Sequence, residues 1–254
     1  MPTTDCDYII VGSGAGGGPL AANLARAGFS VLLLEAGGDP CADSGDTGRF
    51  MYEVPIFHGL STEYRECAWD YFVRHYSDTA RQKLDSKYRP EEDGIWYPRA
   101  GALGGCTTHN AMITVLPSDD DWNRIAQMTG DDTWKADHMH QYFQRLENCQ
   151  YVPRPGGLSY MLERAKEWLE ASGAVQIWGR LPGLKLSAGQ HQAGTCRMGD
   201  DPRTSVVDAW GRVHGHDNLL VADASLHVTN GGFNPVLTIM ALAFRVADHL
   251  VQFW

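Results

Sequence analysis

Basic charge is scarce in this sequence: 21 Lys and Arg stand against 31 Asp and Glu, a formal net charge of −10. Phosphate backbones and anionic lipid surfaces call for clustered Lys and Arg, so nucleic acid and membrane surfaces drop out as partners. Spaced cysteine pairs are missing as well. The six cysteines (Cys6, Cys41, Cys67, Cys106, Cys149 and Cys196) contain no C-x-x-C pattern, and a chain of 254 residues needs no covalent staples, so reduced thiols are expected. The opening MPTTDCDYIIVGSG has no basic stretch, and its apolar run stops at glycines. That pattern fits neither a signal peptide nor a membrane span, and a cytoplasmic protein is the expectation. There is no G-x-S-x-G elbow, no H-E-x-x-H and no Walker lysine, which removes the commonest hydrolase and kinase readings. His138 with His140, and His214 with His216, lack a third ligand at a recognisable spacing, so no metal site is expected. No internal repeat or low-complexity segment is visible.

What is present is a globular composition, 43% apolar and 20% charged, enough for one large or two small domains. The clearest local pattern lies in the first forty residues. Tyr8, Ile9, Ile10 and Val11 form a short apolar run, Gly12-x-Gly14-x-x-Gly17 follows, and an apolar-periodic stretch through Leu20, Ala21, Leu24 and Ala25 ends at Gly28. A second run from Ser30 to Glu35 reads as a buried strand ending in a carboxylate. Strand, glycine turn, helix and strand in this order predict a dinucleotide site. Gly12 permits the turn, Gly14 admits a pyrophosphate, Gly17 lets helix pack on strand, and the helix N-terminus offers unpaired N–H groups. Glu35 is spaced to accept hydrogen bonds from ribose hydroxyls.

Residues 37–99 carry Pro40, Pro55, Pro90 and Pro98 and many small polar residues, and are expected to form a long irregular excursion. Their aromatics, Phe57, Trp69, Tyr71, Phe72 and Trp96 among them, predict local packing. Ser118 and the aspartates after it predict a helix up to Gly130. Further helices are expected over 133–149, with Trp134, Met139, Tyr142, Phe143 and Leu146 near one face, and over 158–172. Residues 218–222 read as a buried strand ending at Asp223, and Asn234-Pro235 opens an apolar helix over 236–251.

Four motifs, taken in order, resemble one family. Gly12-x-Gly14-x-x-Gly17 with Glu35, then PRAGALGGCTTHNAM, then HQAGTCRMG, then NLLVADASLHVTNGGFNPVLTIMALAFRVADHL are similar to the glucose-methanol-choline (GMC) flavoprotein oxidoreductases. The resemblance implies an α/β fold with a Rossmann-like FAD-binding domain, FAD as cofactor, and oxidation of an alcohol by hydride transfer to flavin N5. It implies that Gly104, Gly105 and Asn110 run alongside the flavin and that Asp223 holds its ribityl or phosphate region. It implies further that the helix after Pro235 stabilises negative charge near N1 and O2. His191 matches the histidine that takes the hydroxyl proton, and Asn234 its partner that orients the substrate oxygen. His109 stands where some members bond the flavin covalently through a ring methyl; an ordinary hydrogen bond is the other reading. The electron acceptor would be oxygen or a quinone-like molecule.

The chain departs from the family in length. Residues 1–150 and 191–254 read as the two parts of the FAD domain. Residues 151–190, with the join near 154–158, stand where members carry most of a substrate-binding sheet, so the substrate part is much reduced. An internally deleted, catalytically silent nucleotide-binding remnant is therefore the alternative to an active enzyme. An NAD-dependent dehydrogenase would share the N-terminal turn but leaves GGCTTHN and HQAGTCRMG without a role.

Overall fold

A computed structural model describes residues 5–39, 42, 49–51, 53–54, 61, 64–109, 115–147, 191, 193–229 and 234–253. The expected helix over 158–172, the remnant over 151–190, Phe57 and Asn110 lie outside the described residues.

The N-terminal pattern forms the expected elements. Strand β1 (Tyr8–Val11) leads through the glycine turn into helix α1 (Gly17–Arg26), and β2 (Val31–Leu34) returns parallel to β1 in the register Tyr8↔Val31 to Val11↔Leu34. Helix α1 buries Leu20, Ala21 and Leu24 against the sheet. β2 is not the buried strand expected. In a parallel pair, facing residues share a side, so Ile9, Val11, Leu32 and Leu34 point to one face. That face is open: Val11 is 82% exposed and Leu34 47%. Apolar sequence marked the strand, but no described element covers its second side.

Residues 37–99 are more regular than expected. Strands β3 (Ala68–Val73), β4 (Tyr88–Arg89) and β5 (Gly94–Ala100) form an antiparallel sheet in the order β3-β5-β4, with helix α2 (Thr79–Lys83) between β3 and β4. Pro98 sits within β5 without breaking it. Trp96 N donates to Lys87 O on the β4 side, and the nitrogen two residues on points to that same side, where β4 has already ended. The missing N–H therefore removes no ladder bond. Trp69, Tyr71 and Phe72 remain substantially exposed rather than forming a closed local core.

Helix α3 (Asp119–Thr129) begins at Ser118, whose Oγ accepts from Asp121 N, and ends at Gly130 with φ 69°. After a 3-10 turn over Asp132–Trp134, helix α4 (Ala136–Leu146) buries Met139, Tyr142 and Phe143. Residues 218–222 do not make a strand of a sheet. They close locally on 211–213 through Val213 N→Leu219 O and Val221 N→Gly211 O, with one antiparallel bridge, Arg212↔Leu220.

Helix α5 (Val236–Phe253) joins two cores. Ala243, Val246, Ala247 and Leu250 pack with Leu20, Leu24 and Ile10; Ala241, Leu242 and Phe244 pack with Trp122, Met139 and Phe143. Leu24 and Met139 have no exposed surface, and burying each contributes about 2–3 kcal/mol. By length and hydropathy α5 could cross a membrane, yet 56% of it is buried inside the protein. Its apolar character is that of a core helix. Buried Arg245 of α5 lies between the rings of Trp134, at 3.9 Å, and Trp210, at 3.8 Å, and donates to Ala209 O and Thr133 Oγ1. Burial pushes its pKa down to about 10 against the pull of Asp131, so it is charged at neutral pH. The four described cysteines, Cys6, Cys67, Cys106 and Cys196, are free thiols.

Candidate functional site

The site starts at the glycine turn. A Cβ on Gly17 would lie 1.9 Å from Gly12 O, so only glycine lets α1 sit this close to β1. Gly14 is different. A Cβ there would meet only Gly104 O, at 3.9 Å, so the space beside Gly14 is clear. Helix α1 has no side-chain cap at Gly16 and no acidic residue in its first turn, which leaves its positive end to an external anion.

Glu35 faces this turn from the end of β2. Its Oε2 accepts from Ser13 N at 2.8 Å and Ser13 Oγ at 2.6 Å; its Oε1 accepts from Ala36 N at 2.8 Å and Gly37 N at 2.9 Å. Desolvation alone would raise its pKa. The hydrogen bonds from Ser13, Gly37 and Ala36 outweigh that and hold the carboxyl below its ordinary value.

Residues 104–109 come up against the same turn. Gly104 and Gly105 have φ of 89° and 57°, a left-handed pair that two residues with side chains would resist. Thr107 and Thr108 hydroxyls donate back to Gly104 O and Gly105 O, closing a 3-10 helix over Gly105–His109. Gly104 N donates to Ser13 Oγ at 2.8 Å, and a Cβ on Gly105 would lie 3.2 Å from Gly14 Cα. At the end of this segment His109 Nδ1 is 3.0 Å from the Oγ of fully buried Ser61.

The C-terminal motifs close the site. Residues of HQAGTCRMG bond to the 3-10 turn over Ala224–Leu226 through Gly194 N→Ala224 O, Cys196 N→Ser225 O and Met198 N→Leu226 O. The Asn234 amide nitrogen lies 3.3 Å from His191 Nε2, with the amide donating and the imidazole accepting. Buried Pro235 precedes α5, and its carbonyl accepts from Ile239 N. Exposed Asp223 caps the 3-10 turn by accepting from Ser225 N, and its Cα lies 3.1 Å from where a Gly16 Cβ would stand. Gly12, Gly14, Gly17, Glu35, Gly104, Gly105 and Asp223 thus gather round the start of α1, and His191 meets Asn234 at the start of α5. Sequence reasoning missed Ser13 and Ser61. A serine inside the glycine turn was the only available sign of the first; the second, 48 positions from His109, gave none.

Residues 115–243 match the family model described as GMC oxidoreductase, and residues 10–75 match an NAD(P)-binding Rossmann-like domain. The chain belongs to the GMC oxidoreductase family. Among its relatives, 6'''-hydroxyparomomycin C oxidase of Streptomyces lividus is 45% identical over 107 residues, 39% of this chain and 19% of that protein. Pyranose dehydrogenase of Agaricus campestris is 30% identical over 145 residues, 56% of this chain and 21% of that protein. Among solved structures, pyridoxine 4-oxidase from Mesorbium loti is 26% identical, with a TM-score of 0.41 over 55% of this chain and 24% of that one. The chain therefore spans a fifth to a quarter of the length of these GMC relatives. Residues 10–75 hold the Rossmann-like part, the place for a dinucleotide such as the FAD that the family resemblance implies. The clear space at Gly14 and the uncapped start of α1 fit its pyrophosphate.

Proposed function

We propose that this chain is an FAD-dependent oxidoreductase that oxidises the CH–OH group of an alcohol, with His191 as the general base. The observation that carries the reading is the pairing of His191 Nε2 with the Asn234 amide, 3.3 Å apart across 43 positions of sequence. The pair brings an imidazole and an amide to one place, so a donor hydroxyl that displaces the amide from Nε2 would meet a ring lone pair able to take its proton. His191 Nε2 takes the hydroxyl proton of the donor, and the Asn234 amide orients the donor oxygen beside it. Bound FAD supplies the hydride acceptor. The turn through Gly12, Gly14 and Gly17 would hold the pyrophosphate, Glu35 the ribose and Asp223 the ribityl side, with Gly104 and Gly105 beside the ring. The start of α5, after Pro235, offers a positive dipole end to charge that develops during reduction. Relatives named for a pyranose and for a hydroxyparomomycin favour a polyhydroxylated donor, with oxygen or a quinone-like acceptor taking the electrons.

A second reading is a flavin-binding remnant without turnover. The open face of Ile9, Val11, Leu32 and Leu34 supports it, because hydride transfer needs a site shielded from water. One experiment separates the two: purified protein loaded with FAD is mixed anaerobically with a panel of alcohols and sugars. Bleaching of the flavin absorbance supports the enzyme, a stable yellow colour supports the remnant, and failure to retain FAD removes both. His109 has two roles open to it, a covalent bond to a ring methyl or a hydrogen bond. Acid precipitation divides them, with flavin fluorescence on the denatured band for the first and in the supernatant for the second.

A further inference from the structure

Ser13 is the only side chain that reaches both halves of the nucleotide-facing cluster among the described hydrogen bonds. Its hydroxyl has one hydrogen to give and lone pairs to accept with. The hydrogen goes to Glu35 Oε2 at 2.6 Å, and the oxygen receives Gly104 N–H at 2.8 Å. Ser13 is buried, so water does not readily replace either partner. Glu35 belongs to the end of β2, beside the ribose side of the turn. Gly104 opens the segment that carries Cys106 to His109, 91 positions further along the chain.

A carboxylate offers about four acceptor positions, and this chain fills all four of Glu35 with its own donors, from Ser13, Ala36 and Gly37. Three of those donors are backbone N–H groups fixed by the fold. The fourth is the Ser13 hydroxyl, whose hydrogen can rotate. An incoming ribose hydroxyl that donates to Glu35 therefore competes with Ser13 Oγ–H before any other group. When the Ser13 hydrogen swings away, its oxygen still receives Gly104 N–H, but from a hydroxyl no longer polarised by the carboxylate. We propose that Ser13 is a positioning residue that couples nucleotide binding at Glu35 to the placing of segment 104–109. This rests on the reading of the site as an FAD site.

The test uses the full chain as wild type, Ser13→Ala and Ser13→Thr. Three quantities are compared: hydrogen exchange of peptides spanning 103–109 in the cofactor-free protein, affinity for ADP, and affinity for FAD. ADP reports the nucleotide half alone, and FAD reports that half together with the ring segment. The expected result for Ser13→Ala is exchange in 103–109 about 5–10-fold faster, FAD binding about 10-fold weaker, and ADP binding unchanged or tighter because a competitor for Glu35 is gone, all reversed towards wild type in Ser13→Thr. A serine with only a structural role would lower both affinities together, and that outcome overturns the coupling. So does a Ser13→Ala protein that matches wild type in all three readings while wild type binds FAD. If wild type binds neither ADP nor FAD, the FAD reading itself fails and takes the coupling with it, a result distinct from the other two.

Discussion

Gly16 and Ala222, 206 positions apart, meet so closely that a Cβ on the glycine would lie 1.9 Å from the Ala222 carbonyl oxygen. The start of α1 and the segment leading to Asp223 are therefore packed backbone to backbone, with no room for a methyl group. Gly16→Ala should separate the two ends of the chain and cost roughly 1–3 kcal/mol of stability, the usual range for overpacking. Urea unfolding of the variant beside wild type measures this, and an unchanged midpoint would show that the contact is not required.

Gly14→Ala should behave in the opposite way. The protein leaves the methyl clear space, with Gly104 O the nearest atom at 3.9 Å, so the fold should be as stable as wild type. The same methyl stands where a pyrophosphate has to approach, and FAD retention should fall at least tenfold. A variant that stays fully yellow would move the pyrophosphate away from this turn.

His191→Ala should keep FAD bound, since His191 lies outside the glycine turn, and slow flavin reduction by an alcohol at least a hundredfold, the scale of a lost general base. Stopped-flow bleaching under anaerobic conditions gives the number. Equal rates in the two proteins would take His191 out of the chemistry.

Glu35 should give stability an acid limb. Its hydrogen bonds hold the folded carboxyl below the ordinary value of 4.5, so the unfolded chain binds the proton more tightly. The contribution is complete above that value and is lost as pH falls through the lower folded one. Unfolding free energies measured between about pH 3 and 7 should therefore rise with pH more steeply in wild type than in Glu35→Gln. Parallel curves would mean that the carboxylate network adds nothing to the charged form.

Arg245→Ala should be among the most damaging substitutions in the C-terminal helix. It empties the space between Trp134 and Trp210 and leaves Ala209 O and Thr133 Oγ1 without their donor, a loss of about 3 kcal/mol. Thermal unfolding checks it, and a shift of less than a degree would assign the stack no weight.

Much of the site was legible because its parts are contiguous. Strand, glycine turn, helix and strand occupy residues 8–34, and each glycine in the turn answers a steric demand set within a few positions. The links that join the parts were not. Ser13 to Gly104 and Ser61 to His109 span 91 and 48 positions, and nothing in either serine's neighbourhood marks its distant partner. The sheet over β3, β4 and β5 was missed for a related reason. Pro98 reads as a breaker until β4 is seen to stop short of it.

By itself the sequence determined the local backbone: where glycine has to stand, where helices start on Ser118 and Pro235, and which apolar stretches can be strands. These follow from sterics and hydrogen bonding within one or two turns of chain. Tertiary structure alone decided partners and burial. It left 218–222 without a ladder, opened one face of β1 and β2, gave α5 two cores to join, and put Ser13 against Gly104 and Ser61 against His109. The physical reason is that an apolar or polar side chain states a need for cover or for a partner, whereas only the packed chain fixes which distant group supplies it.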